Sequence, residues 1–299
     1  MTPPPEIRGA TITGTGHYAP VRVLSNHDLE KMVDTSDEWI VERTGIRERR
    51  IAAPDQASSD LALIAAQRAL EMAGLSATDV DQIVLATTTP DRFLPSCGCT
   101  LQQKLGASSA AAYDIFAACT GFVYGLGIAR GLIGSHVADT VLVVGVETLS
   151  RITDMTDRNT CVLFGDAAGA AVLRPCEPGR GLHSIRIRSD GDLGDVLEVP
   201  AGGSREPVTE HGLRARRNYI SMRGRKLFPF AVRSMEESLR QVVEESGWRI
   251  DDLDLVIPHQ ANLRIIEAVR ERLGLPEAKM VVNIDRYGNT SSASIPLAL

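Results

Sequence analysis

"EMAGLSATDVDQIVL" (residues 71–85) aligns without gaps on "EESGWRIDDLDLVIP" (residues 244–258), at an offset of 173 residues. The match pairs Glu71 with Glu244, Gly74 with Gly247, Asp79 with Asp252 and Asp81 with Asp254. Each copy follows an amphipathic helical pattern, passes through a glycine turn and enters an apolar run of strand length. One helix–turn–strand unit in each half is what a duplicated α/β fold would leave behind. So common a unit also recurs by chance, and the alignment alone leaves both readings open.

The rest of the chain agrees with an α/β layered fold, because short apolar runs alternate with helix-period segments throughout. The patterns predict strands at 10–14, 82–86, 112–116, 140–144, 168–173, 182–187, 253–257 and 280–284. They predict helices at 26–32, 59–73, 121–133, 224–246 and 263–273. The Pro/Gly cluster "RPCEPGRG" (174–181) is the best boundary, dividing the chain into 1–179 and 180–299.

Composition narrows the class. With 299 residues, 43% of them hydrophobic, the chain can bury a full core. A net charge of −6 excludes nucleic-acid binding through a globally basic surface. No apolar run approaches the ~18 residues that span a bilayer. The start, "MTPPPEIRG", lacks the apolar stretch of a signal peptide, and the five cysteines follow no disulfide pattern. A reduced, cytoplasmic protein is expected.

Chemistry concentrates at "AAYDIFAACTGFVYGLGIARGL" (111–132), where a strand pattern meets Cys119 and then a helix pattern. A thiol at a helix N-terminus faces unpaired N–H groups and the positive dipole end, which favour thiolate. Ala117, Ala118 and Gly121 leave room for an acyl group. Taken alone, a cysteine in an apolar setting is more often a small buried hydrophobe, and the functional reading needs partners. His259, in "LVIPHQANLRIIEAVRERLG" (255–274), sits in a turn between strand and helix, with Asn262 placed to cap that helix. Asn289, in "VVNIDRYGNTSSASIP" (281–296), follows another strand and a glycine turn. His259 as a turn histidine and Asn289 as a cap are the bland alternatives. Against them stands placement: all three residues follow strands at the carboxyl end, where open α/β sheets bind ligands. Other signals fail. "GTGHYA" (14–19) is followed by Pro20 where a dinucleotide-binding helix would run, and Cys97-x-Cys99 has no second ligand pair, so no metal is expected. "NTS" at 289 matters only in a secreted protein.

"VDTSDEWIVERTGIRERRIA" (33–52), "AACTGF" (117–122), "TDRNT" with "FGDAAGAAVL" (156–173), "PHQANLRI" (258–265) and "YGNTSSASIP" (287–296) together resemble β-ketoacyl-acyl-carrier-protein synthase III. The resemblance runs in order from about Ile7 to the last residue. It implies the thiolase fold, five layers αβαβα from two similar halves, as the 173-residue offset suggests. It implies covalent acyl transfer with no cofactor beyond the coenzyme A thioester substrate. Cys119 would take the acyl group from an acyl-CoA; His259 and Asn289 would face the thioester carbonyl of malonyl-acyl-carrier protein. Trp39 and Arg158 would hold the coenzyme A head and Asn262 the pantetheine arm. Arg264 would contact the acidic carrier protein, and the family is homodimeric.

Three departures qualify the resemblance. Pro229 stands where relatives often carry lysine, leaving Arg225 and Lys226 to supply charge. Leu94 replaces a phenylalanine that limits the acyl pocket, which implies longer or branched primers. Relatives continue past "SIPLAL" with the rest of a helix, a strand pair and a loop donating to the oxyanion, so the second half reads as truncated. Two other functions fit the same residues: an acyltransferase of a secondary-metabolite pathway, and a non-catalytic truncated subunit.

Overall fold

The computed structural model describes residues 7–299; the proline-rich start at 1–6, on which the absence of a signal peptide was read, lies outside the described residues. Five strands form the main sheet: β1 (Gly9–Tyr18), β2 (Gln82–Ala86), β3 (Ala111–Ile115), β4 (Val141–Thr148) and β5 (Asp166–Cys176). Their spatial order is β1-β5-β4-β2-β3. β2 runs parallel to β3 and β4, whereas β5 is antiparallel to both β4 and β1. Ala86 pairs with Ile115 on one side and Gly145 on the other, so the carboxyl ends of β2, β3 and β4 open on one edge.

Residue type explains the layers. Every position of β4 is buried, as expected for a central strand covered on both faces. Helix α1 (Ser58–Ala73) and helix α2 (Cys97–Leu105) cover one face. Leu61, Ala62, Ala65, Ala66 and Ala69 of α1 are fully buried, and their small side chains let the helix lie close to the strands. Helix α3 (Gly121–Gly134) covers the other face, joined by Ile295 from α6 (Ser294–Ala298). Helices α4 (Gly224–Glu245) and α5 (Leu263–Leu273) pack on each other in a separate cluster that takes in Leu275 and Met280.

The two aligned stretches fold alike. Gly74 and Gly247 both end their helices in the left-handed region, at φ 67° and 73°. Gly74 N–H donates to the Glu71 carbonyl at 3.0 Å and Gly247 N–H to the Glu244 carbonyl at 2.9 Å. In each copy a 3-10 turn follows, and its aspartate accepts a backbone N–H: Ser76 onto Asp79 at 2.7 Å, Arg249 onto Asp252 at 2.9 Å. The copies then diverge, for β2 is a full ladder strand and its counterpart is not.

That divergence corrects three of the expected strands. Segments 253–257 and 280–284 are joined only by the bridge Val256–Met280, and the latter turns into a short helix at Ile284. Segment 182–187 is no strand: after Leu182 N–H bonds the Ala10 carbonyl, Ser184 and Arg186 are tied by side chain to Glu245 at the end of α4. Side-chain anchoring there takes the place of a ladder.

The last segment crosses the open sheet edge at very short range. A Cβ on Gly145 would lie 2.2 Å from the Ser292 carbonyl oxygen, a backbone atom that cannot step aside cheaply. Gly145→Ala is therefore expected to cost about 1–3 kcal/mol through overpacking, measured as a lower denaturation midpoint at unchanged m-value.

Candidate active site

Cys119 lies where the sequence places it, between β3 and α3, but in a 3-10 turn, Ala118–Thr120, and not on the helix itself. Ala118 adopts φ 45°, which swings the chain back over the sheet edge. The residue as a whole is half-buried. Burial pushes the thiol up to about 11; the nearby Ser291 hydroxyl pulls the other way, and the Glu147 carboxylate adds to the rise. The resting group is thus a thiol. This corrects the expected thiolate: loss of water outweighs a helix end that begins two residues later.

Asn289 is delivered to the same place by the chain's last turn. It is buried and stitched to the strand entering β5: its N–H donates to the Leu163 carbonyl at 2.8 Å, and its carbonyl accepts Gly165 N–H at 3.0 Å. It follows the short helix Ile284–Tyr287 where a strand had been expected to precede it. Its Oδ1 accepts the Ser291 N–H at 2.9 Å, which leaves Nδ2 as the group that can donate outward. Ser291, at φ 48°, thus fixes the Asn289 amide through its N–H.

His259 sits between buried Pro258 and buried Gln260. Gln260 is bonded on every side: its N–H to Ser294 Oγ at 2.7 Å, its Nε2 to the Pro258 and Val281 carbonyls at 3.0 Å, its Oε1 from Asn283 N–H at 3.0 Å. This clamp ties the histidine turn to α6, the helix that follows Asn289. The His259 Nδ1 is buried without a partner, and burial lowers the imidazole to about 4. At neutral pH the ring is uncharged.

Of the outlying residues, the structure brings Trp39 and Arg158 together, with the guanidinium 4.7 Å from the ring centre. It adds Arg43 at 5.0 Å, which sequence reading passed over. The helix Asp37–Thr44 that carries Trp39 is anchored by Asn26, which bonds Asp37 and, in turn, buried Arg49. Asn262 caps α5, accepting Arg264 N–H at 2.9 Å and donating to the Arg43 carbonyl at 3.0 Å. Arg264 stacks over Phe228 at 5.8 Å beside a shallow depression of about 330 Å³ shared with Gly224, Arg225 and Pro229. Leu94 is 86% exposed.

Sequence reading missed Glu147 and Ser291. The first had a signal, a lone acid ending the apolar run "VLVVGVE"; the second had none beyond its place two residues after Asn289.

The layered α/β sheet, with a thiol following β3 and an amide donor crossing its carboxyl edge, is the fold of a thiolase-type acyl-transferring enzyme. Residues 113–191 match the family model of 3-oxoacyl-[acyl-carrier-protein] synthase III, and residues 243–299 match the model of its C-terminal part. The chain is 53% identical to β-ketoacyl-[acyl-carrier-protein] synthase III of Symbiobacterium thermophilum, over 98% of this chain and 89% of that one. It is 54% identical to the Geobacillus kaustophilus protein of the same name, over 97% and 88%. The crystal structure of the Aquifex aeolicus synthase III superposes with a TM-score of 0.89 at 49% identity, covering 97% of this chain and 89% of that one. The chain belongs to the 3-oxoacyl-[acyl-carrier-protein] synthase III family. These coverages give no support to the expected truncation of the second half.

The neutral imidazole has a consequence for stability. An unfolded histidine takes up a proton near 6.5, the buried His259 only near 4. Between those values the unfolded chain binds more protons, so acid draws the protein toward unfolding. Stability contributed by His259 is complete above about 6.5 and is lost as pH falls toward about 4. His259→Gln is expected to flatten that part of the stability–pH curve, measured by urea denaturation at successive pH values.

Proposed function

We propose that the chain performs the decarboxylative condensation that initiates fatty-acid synthesis, joining an acyl-CoA primer to malonyl-acyl-carrier protein. The observation that supports this reading is the turn 289–294, which leaves Asn289 Nδ2 free to donate and bonds Gln260, next to the neutral His259, through Ser294.

In the first half-reaction the Cys119 sulfur attacks the acyl-CoA carbonyl. The C–S bond to coenzyme A breaks, and the thiol proton leaves with the departing coenzyme A thiolate. An acyl-Cys119 thioester remains. In the second, the malonyl thioester loses carbon dioxide, and the bonding pair forms an enolate. His259, as a neutral N–H donor, and Asn289, as an amide donor, both bond the enolate oxygen, where charge develops. The nucleophilic carbon attacks the acyl thioester, Cys119 departs, and 3-oxoacyl-acyl-carrier protein is released. Asparagine suits this step because it donates without removing protons. No step calls on a metal or a redox group.

Trp39 with Arg158 and Arg43 offers an aromatic face and two cations to the coenzyme A head, and Asn262 retains an Nδ2 hydrogen for the pantetheine arm. The Arg264–Phe228 depression, with Arg225, supplies cations to an acidic carrier protein although Pro229 offers none. Leu94 reaches an acyl pocket only in a second copy. Phe93, Leu94 and Phe116 are all exposed near the edge strand β3, whose Asp114 caps α2 after the Leu94 loop. A homodimer closing over that edge would cover them, and Leu94 would then widen the partner's primer range. No helix among the described residues is long and apolar enough to cross a membrane. A cytoplasmic location is the reading that fits these proposed substrates. Relatives about half identical over nearly the whole chain favour this reading over a secondary-metabolite acyltransferase or an inactive subunit.

Intact-mass spectrometry after incubation with acyl-CoA thioesters should show one acyl group gained, absent in Cys119→Ala. His259→Ala and Asn289→Ala should still acylate while malonyl-dependent release of carbon dioxide falls by about 10²-fold or more. No adduct with any primer, or decarboxylation untouched in both variants, would contradict the assignment.

A further inference from the structure

Gln260 is 1% exposed, and both polar atoms of its side chain are engaged. Its Nε2 donates to the Pro258 and Val281 carbonyls, and its Oε1 accepts the Asn283 N–H, each at 3.0 Å. Its backbone N–H donates to Ser294 Oγ at 2.7 Å. Two donors and one acceptor on one planar group are what a carboxamide supplies and what a carboxylate or a guanidinium does not. The partners fall on either side of the two donor residues. Pro258 and Gln260 flank His259 in the chain, so the histidine is held at both its neighbours. Asn283 and Ser294 bracket the segment that contains Asn289, the first opening the short helix Ile284–Tyr287 and the second opening α6. Strand pairing gives this region little support, since segments 253–257 and 280–284 share only the bridge Val256–Met280.

Resting on the reading of His259 and Asn289 as the enolate donors, we propose that Gln260 is a positioning residue that sets the distance between them. Two donors can share one enolate oxygen only if each stands about 2.7–3.1 Å from it, which leaves little freedom in their separation. His259 and Asn289 sit on different turns, and the Gln260 amide is the group bonded to the chain around both. Without it, two carbonyls and an N–H would be left unpaired where water hardly reaches. The two turns would then part to recover partners, and the donors would part with them. Among the described residues Gln260 forms no hydrogen bond to the Ala118–Thr120 turn that carries Cys119. Its influence is therefore directed at the decarboxylating step and not at acylation of the sulfur.

The test compares the two half-reactions in the full chain carrying Gln260→Met, which keeps the length of the side chain and removes its hydrogen bonds. Acyl transfer from acyl-CoA to Cys119, read by intact mass, should stay within about threefold of the unaltered protein, while malonyl-dependent release of carbon dioxide falls about 10–100-fold. The His259 ring separates a displaced donor from a general loss of stability. Its Cε1 proton resonance is assigned among the six histidines with His259→Gln. In the unaltered protein the buried ring takes up a proton only near 4. Once the turn loosens, water reaches the ring, and in Gln260→Met it should titrate closer to 6.5. A folded Gln260→Met in which decarboxylation is unchanged, in which both half-reactions fall alike, or in which His259 titrates as before would overturn the proposal. Should that variant not fold, Ser294→Ala, which deletes the hydroxyl bonded to the Gln260 N–H, should show the same split at about 3–10-fold, and its absence would overturn the proposal equally. The titration needs no substrate, so it remains legible if His259→Ala and Asn289→Ala leave decarboxylation intact and the condensation reading itself fails.

Discussion

The chain's last turn must cross the carboxyl edge of the main sheet at backbone contact, and the rest of the site depends on that crossing. Gly145 makes it possible, because any Cβ there would collide with the Ser292 carbonyl. Ser292 Oγ then bonds the Ala86 carbonyl at 2.9 Å, and the Asn289 backbone exchanges hydrogen bonds with Leu163 and Gly165. By these contacts residues 289–294, which are remote in sequence, are fixed against β2, β4 and the strand entering β5. Cys119 is placed by one part of the chain and Asn289 by another, and the crossing packs the turn 291–293 against the turn 118–120 that carries the cysteine.

The electrostatics follow from the same burial. Removing water raises the Cys119 thiol and lowers the His259 imidazole, so the reactive groups rest uncharged. That is costly for a nucleophile but favourable for a donor. A neutral imidazole can hydrogen-bond an enolate oxygen without protonating it outright, and in a dry site each such bond is stronger than in water. The buried Glu147 carboxyl, which loss of water pushes up toward its neutral form, is surrounded by hydroxyls and one backbone N–H.

Much of the fold was legible because the sequence repeats its own punctuation. Gly74 and Gly247 end helices in the same left-handed turn, and Asp79 and Asp252 cap the same 3-10 turns. Local rules of this kind are readable without tertiary information. Segment 182–187 was misread because its apolar pattern is indifferent to whether a ladder partner exists, and here side chains tie it to Glu245 instead. The same divide runs through the site. Cys119, His259 and Asn289 stood out by residue type at strand ends, where chemistry is expected. The state of Cys119 was misjudged, since a helix N-terminus is visible in sequence and the packing that dries it is not. Leu94 was assigned to a pocket by resemblance, a role that its exposed position does not itself signal.

The account's central claim is that Cys119 carries the acyl group while His259 and Asn289 jointly hold the enolate oxygen. The most direct measurement is a crystal structure of the Cys119-acylated protein with an unreactive malonyl-thioester analogue bound. The account predicts the analogue's carbonyl oxygen about 2.7–3.1 Å from both His259 Nε2 and Asn289 Nδ2, with its nucleophilic carbon facing the acyl-Cys119 carbonyl. An oxygen bonded to neither residue, or an acyl group on another side chain, would contradict it.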